Sequence, residues 1–216
     1  MNHSSPAPAV PEAPNDRDQR VFDAVRELMA EQGMDLSMEA LALRAGCSKQ
    51  TLYSRYGSKQ ELLRRVLHEH LQLLTSPLKP DNGDIRASLV TFARGHLRHL
   101  NRPEVVQASQ LIAAEARRFP AAAQEIYRNG VTTLQRQLAQ WLAAASARGL
   151  LRHDDPHFMA ELLLSMIVGL DFERQRFRIP HRMDDQAIQA WAEFSVDSFM
   201  RAFAPAAATA VTQSNQ

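Results

Sequence analysis

The sequence predicts an all-α fold, and three observations predict it. Apolar residues recur at three- and four-residue intervals, as in Val21, Ala24, Val25, Leu28 and Met29, the stripe of a helix with one buried face. Serine, aspartate and glycine stand at the ends of these stripes, where helix caps and left-handed stops belong. Segments that alternate apolar and polar residues, the mark of half-buried strands, are nowhere evident. The chain has 216 residues, 45% of them hydrophobic and 23% charged. That is enough to bury a core without disulfides or metal.

The first helix is expected from Asp16 to a stop at Gly33. Ser37 caps a second, only two turns long, with Met38, Leu41, Ala42 and Ala45 facing inward and Gly46 ending it. Ser48 caps a third, carrying Leu52 and Tyr56 and closed by Gly57. Ser58 and Glu61 then offer a capping box, in which serine and glutamate satisfy each other's helix-end amides. The fourth helix buries Leu62, Leu63, Val66, Leu67, Leu71 and Leu74. Pro77, Pro80, Asn82 and Gly83 break the pattern, and the domain boundary is placed there, between 16–76 and 84–204. Beyond it a stripe from Ile85 to Leu100 is followed by helices over Glu104 to Arg117, Pro120 to Gly149, Pro156 to Phe177 and Asp184 to Phe203. Proline in a first turn supports the start at Pro120, and Asp154 and Asp155 before Pro156 open the next helix.

Composition removes several classes of function. A lone Cys47 excludes a disulfide framework and a cysteine-rich zinc finger, and fits a reducing cytoplasm. The longest uncharged apolar run, Leu162 to Leu170, has nine residues, where a membrane span needs about 20. Residues 1–15 and 205–216 are rich in alanine, with proline or serine, and read as disordered tails; the first has no basic or apolar region of a secretion signal.

Net charge is +1, so any nucleic-acid footprint must be local. Between Arg44 and Arg65 stand six cations, Arg44, Lys49, Arg55, Lys59, Arg64 and Arg65, against one anion, Glu61. The short helices either side of Gly46-Cys47-Ser48 have helix-turn-helix spacing, the arrangement that places a second helix in the DNA major groove. Cations there would neutralise phosphates, while Lys49, Gln50, Thr51 and Tyr53 could reach base edges. The same charge and spacing also fit a solvated basic face on a packing hairpin. Cys47, among cations at a helix start, could be an acidic, oxidant-sensitive thiol; it reads better as a small hydrophobe in the hairpin core.

The residues Ser37 to Tyr53, with the Ala45-Gly46-Cys47-Ser48 turn and the Thr51-Leu52-Tyr53 segment, followed by Tyr56 and Ser58-Lys59-Gln60-Glu61-Leu62, resemble the DNA-binding domain of TetR-type transcriptional regulators. The resemblance implies an N-terminal three-helix helix-turn-helix domain and a C-terminal helical ligand-binding and dimerisation domain. It implies that Ser37, Thr51, Tyr53, Arg55 and Lys59 meet the backbone of double-stranded DNA, with Ser48 at the start of the reading helix. Lys49 and Gln50, with Arg44 beside them, would read bases. Tyr56 stands where the family has phenylalanine, and Gln50 where it has a small residue or proline; the latter side chain suits adenine.

Glu115-Ala116-Arg117-Arg118-Phe119-Pro120, with Ile126-Tyr127, Gly149-Leu150 and Asp155-Pro156, is similar to the C-terminal half of an AefR-like subset whose members often respond to small amphipathic molecules. A pocket for such an inducer is expected among Phe92, His96, Leu100, Leu111, Tyr127, Trp141, Met166 and Phe172; each also reads as ordinary core. The last two helices would pair with their copies in a homodimer. No cofactor or metal is expected: His96 and His99, His68 and His70, and His153 and His157 read as surface or capping residues rather than ligands, and no HExxH, phosphate loop or nucleophile elbow is present. The whole reads as a ligand-responsive repressor and not an enzyme. The competing readings are a helical adaptor whose basic hairpin meets an acidic protein, and a regulator with no small-molecule ligand.

Overall fold

The computed structural model describes residues 16–79, 84–179 and 182–205, and every regular element among them is helical. The tails 1–15 and 206–216, and Pro80, Asn82 and Gly83 of the expected break, lie outside the described residues. The helices are α1 (Asp16–Gln32), α2 (Met38–Ala45), α3 (Lys49–Tyr56), α4 (Lys59–Thr75), α5 (Ile85–Leu100) and α6 (Pro103–Glu115). They continue with α7 (Pro120–Tyr127), α8 (Thr133–Ala147), α9 (Pro156–Val168), α10 (Asp171–Arg176) and α11 (Asp185–Ala202).

Side chains written at the helix starts meet their backbone amides. Ser37 accepts from the Ala40 amide, Ser48 from Thr51 and Ser58 from Glu61, at 3.1, 3.0 and 3.1 Å. Asp84, Asp155 and Asp184 do the same for α5, α9 and α11. The capping box at α4 is only half made. Glu61 turns forward to Arg64, and the Ser58 amide donates to the Tyr56 carbonyl instead.

Gly33 ends α1 as expected, left-handed at φ +60°, and opens a 3-10 turn, Gly33–Asp35, that leads into the Ser37 cap. Two expectations need correction. The helix expected from Pro120 to Gly149 is interrupted by a π segment, Arg128–Thr132, around Asn129-Gly130. There the Thr133 hydroxyl donates to the Arg128 carbonyl, serving an acceptor that the wider turn disturbs. The helix expected from Pro156 to Phe177 breaks at Gly169, whose φ is +55°. A Cβ there would stand 3.0 Å from the Trp191 ring, so backbone and indole both select glycine.

Two separate cores form. Val21, Phe22, Val25, Leu28, Leu36, Leu41, Leu52, Tyr56, Leu62 and Val66 close the first around α1 to α4. The second gathers Leu89, Phe92, Leu97, Leu138, Leu142, Met159, Leu163, Ile167, Val196 and Phe199. α4 serves both, giving Leu62 and Val66 to the first and Leu71 and Leu74 to the second. Each such side chain contributes about 1.5–3 kcal/mol by leaving water, so α4 belongs to both cores and joins them.

Candidate nucleic-acid interface

The turn between α2 and α3 is built by Gly46, left-handed at φ +65°, with the Cys47 amide reaching back to the Ala42 carbonyl at 3.0 Å. This closes α2 as a left-handed glycine cap does. Ser48 then starts α3, its hydroxyl also 2.8 Å from that of Thr51. Leu52 and Tyr56, both buried, pin α3 to the first core. The opposite face is left to solvent: Lys49, Gln50, Thr51 and Tyr53 are all exposed. Tyr53 shows 46% of its surface on that face. Ser37 and Ser48 lie exposed at the starts of the two helices.

The positive charge does not stand as the linear sequence suggests. Arg44 turns away from α3 and bridges Glu27 and Glu31 of α1 at 2.9 and 2.7 Å. These bonds, the one to Glu31 first, raise the guanidinium's affinity for its proton and hold Glu31 below the ordinary carboxylate range. Arg44 thereby ties α2 to α1 in this structure. Arg55 is held in a two-pronged pair with Asp18 at 2.6 Å. Tyr56 donates to the same carboxylate, and burial and then Asp18 push its hydroxyl pKa up. Lys59 donates to the Met34 and Leu36 carbonyls at 3.2 and 3.1 Å. Arg64 and Arg65 share Glu61, while Lys49 lies 3.9 Å from Glu39. The partners of Arg44 and Arg55, Glu27, Glu31 and Asp18, sit outside the window in which cations were counted.

Two basic residues were missed by that count. Arg17 and Arg20 of α1, three apart, line a cleft of about 280 Å³ with Cys47, Ser48, Thr51 and Arg55. They extend the surface beside the start of α3. Their only sequence signal is i, i+3 spacing before an apolar stripe.

In the second domain the eight expected wall residues do not converge. Phe92 and His96 are buried and stacked, with ring centroids 5.9 Å apart. Leu100 and Met166 are half-buried, and Trp141 is half-buried with its Nε1 donating to the Lys79 carbonyl. Leu111 points the other way, its Cβ 3.2 Å from where a side chain on Gly33 would begin. Tyr127 and Phe172 are 60% and 42% exposed, so neither lines an interior wall. The histidines also differ from expectation. His70 and His99 stack at 3.6 Å between α4 and α5, and burial holds His70 and His96 down to about 4 and His99 to about 2. Among the described residues no group of His, Cys, Asp and Glu is placed to hold a metal.

Residues 21–66 match the family described as bacterial regulatory proteins, tetR family. Residues 87–205, more than half of the chain, match the AefR-like transcriptional repressor C-terminal domain. The chain belongs to the TetR family. A TetR-family regulator structure from Mesorhizobium loti is 23% identical, with 87% of this chain and 96% of that one covered and a TM-score of 0.71. The flavonoid-responsive regulator FrrA is 30% identical, covering 88% and 98% at a TM-score of 0.65. A TetR regulator from Agrobacterium tumefaciens is 22% identical, covering 89% and 96% at 0.66. No curated protein matches. TetR-family regulators are non-enzymatic DNA-binding transcription factors, and this chain is one of them. None of its described helices is long and apolar enough to cross a membrane.

Proposed function

We propose that this TetR-family regulator is a homodimeric repressor that holds a palindromic operator and releases it when a small amphipathic or hydrophobic molecule binds the second domain. The observation that carries the dimer is the uncovered apolar face of α9 and α11. Phe158, Leu162 and Phe194 are 73%, 45% and 59% exposed. On the same helices Met159, Leu163 and Ile167, and Ile188, Val196 and Phe199, are buried in the second core. Each helix is thus apolar on two sides, one facing its own core and one facing out. A phenylalanine buries roughly 150–250 Å² when covered, at about 25 cal/mol per Å²; repeated across a two-fold axis, this favours association strongly.

Such a dimer presents two copies of α3 about 34–36 Å apart. Lys49 and Gln50 read bases, while Ser37, Ser48, Thr51 and Tyr53 meet phosphates. Arg55 and Lys59 act from the rim, sharing their donors with Asp18 and with the turn after Gly33. Acting on chromosomal DNA, the protein works in the cytoplasm. The inducer reading draws on FrrA, whose printed name is flavonoid-responsive.

Fluorescence anisotropy against the DNA upstream of its own coding region, at two salt concentrations with unrelated DNA as competitor, tests the operator reading. Tight binding that resists competition is expected. Weak, sequence-blind binding to that DNA and to every duplex enriched from a random pool would refute it.

A further inference from the structure

The 3-10 turn Gly33–Asp35 joins α1 to the cap of α2, and it is gripped from two sides by groups of opposite charge. On one side Glu115, the last residue of α6, accepts the Met34 amide through Oε2 at 3.0 Å. On the other, Lys59 of α4 donates to the carbonyl of the same residue at 3.2 Å and to that of Leu36 at 3.1 Å. One residue therefore has its amide on a carboxylate and its carbonyl on an ammonium, and hydrogen bonds to charged groups are about twice as strong as neutral ones. The fit is close. A Cβ on buried Gly33, at φ +60°, would stand 2.7 Å from Glu115 Oε2 and 3.2 Å from Leu111 Cβ.

The two grips come from different parts of the chain. Lys59 and the turn belong to the first core's helices, whereas Glu115 lies within the C-terminal domain match. No residue of α6 is fully buried, and the helix packs along α1 and this turn. Leu36, 1% exposed, and the Ser37 cap follow at once, so little slack separates the gripped residue from α2. Arg118, 4.0 Å from Asp35 and 73% exposed, adds only a loose pair.

We infer that Glu115 is a positioning residue for DNA reading: by holding the Met34 amide it fixes the first domain against the second, and so fixes the half-site spacing that the dimer accepts. The inference rests on the dimeric operator-binding reading above. Without this tie each reading head would swing more freely, and DNA binding would have to restrain it at an entropic cost.

The test uses the full chain and a duplex enriched from random DNA by the wild type, beside the same duplex with two base pairs inserted at its centre. Glu115→Ala is expected to lower affinity for the enriched duplex about tenfold, the scale of one lost charge-assisted bond. It should also shrink the preference over the inserted duplex by about threefold or more. Glu115→Gln, which keeps an acceptor oxygen, should recover most of that preference, and Arg118→Ala should leave it at the wild-type value. Thermal unfolding of each variant shows whether folding is retained. A Glu115→Ala protein that keeps the wild-type spacing preference overturns the inference, whether or not its stability or overall affinity falls. If the wild type enriches no two-fold sequence, the dimeric reading itself fails and takes this inference with it.

Discussion

Around the first core the helix-start donors of α2, α3 and α4 are met by Ser37, Ser48 and Ser58, and the large apolar side chains exposed between residues 16 and 66 are Leu43 and Tyr53. The second domain is finished differently. The described buried side-chain nitrogens and oxygens without hydrogen-bond or ion-pair partners belong to it: atoms of Arg94, His96, His99, Gln137 and Asp171, and the Nε of Arg182, whose Nη2 pairs with Asp171. So do the exposed Phe158, Leu162, Phe172, Phe177 and Phe194. The first domain completes itself and offers the solvent a polar face, as a DNA reader requires. The second keeps apolar surface outside and polar atoms inside, costs that a folded chain carries when association or binding offsets them.

The largest effect expected from this contrast is on assembly. Phe158→Glu combined with Phe194→Glu should convert the proposed dimer to a monomer by sedimentation velocity. Operator affinity should then fall about a thousandfold, because the second half-site no longer binds intramolecularly. The same double variant should leave the helical content unchanged, since both rings lie outside the cores. A protein that stays dimeric would place the interface elsewhere.

Next comes an attack on the self-sufficient half. Leu52→Ala removes the fully buried anchor of α3 and should cost about 2–5 kcal/mol in chemical denaturation. DNA binding should be lost with it, while the apolar face of α9 and α11 still dimerises. A variant with wild-type stability would show that α3 is not held by this contact.

A smaller effect should appear with pH, and only through the second core. His70, His96 and His99 are held neutral in the folded chain, at about 4, 4 and 2, by burial first, then by Arg26 and Arg102 for His70, by His70 for His96, and by His70 and His96 for His99. The unfolded chain takes up protons near the ordinary value of about 6.5. Stability is therefore independent of these groups above that pH, and declines as pH falls from about 6.5 toward 4, by up to about 1.4 kcal/mol per pH unit for each histidine. Thermal unfolding between pH 7.5 and 5 should show the decline, and His99→Phe should flatten it. An unchanged slope in that variant would remove the stacked pair from the account.

The smallest effect sharpens the view of α3. Ser48→Ala should cost about 1 kcal/mol, the usual worth of an N-cap, measured by denaturant unfolding. Loss of the Ser48 to Thr51 hydroxyl contact should also weaken DNA binding modestly. A neutral substitution would mean that water replaces the cap without penalty.

Much of the first domain was legible because its signals are local. Ser37, Ser48 and Ser58 cap within three residues, and Gly46 and Gly57 turn within one, so short windows of sequence contain both partners of each bond. The ion pairs of Arg44 were not legible, for the opposite reason. Its partners Glu27 and Glu31 precede it by 17 and 13 residues, and a charge count over neighbours does not see them. The wall residues scattered for a related cause: apolar spacing says that a residue faces inward, not which element it faces. Leu111 has the right period and faces α1 and the Gly33 turn, while Tyr127 and Phe172 face out. The broken helices at Gly130 and Gly169 were marked in the sequence by glycines, but only the Trp191 ring against Gly169 and the Thr133 hydroxyl on Arg128 show what those breaks accommodate.

By itself the sequence determined the helices, their caps and the two-helix reading unit, since periodicity, capping and left-handed turns are properties of adjacent residues. Tertiary structure decided which cations remain available to DNA, which apolar faces stay uncovered, and that Glu115 grips Met34 across 81 residues. Those outcomes depend on distances between elements, and hydrophobic period carries no information about which elements meet.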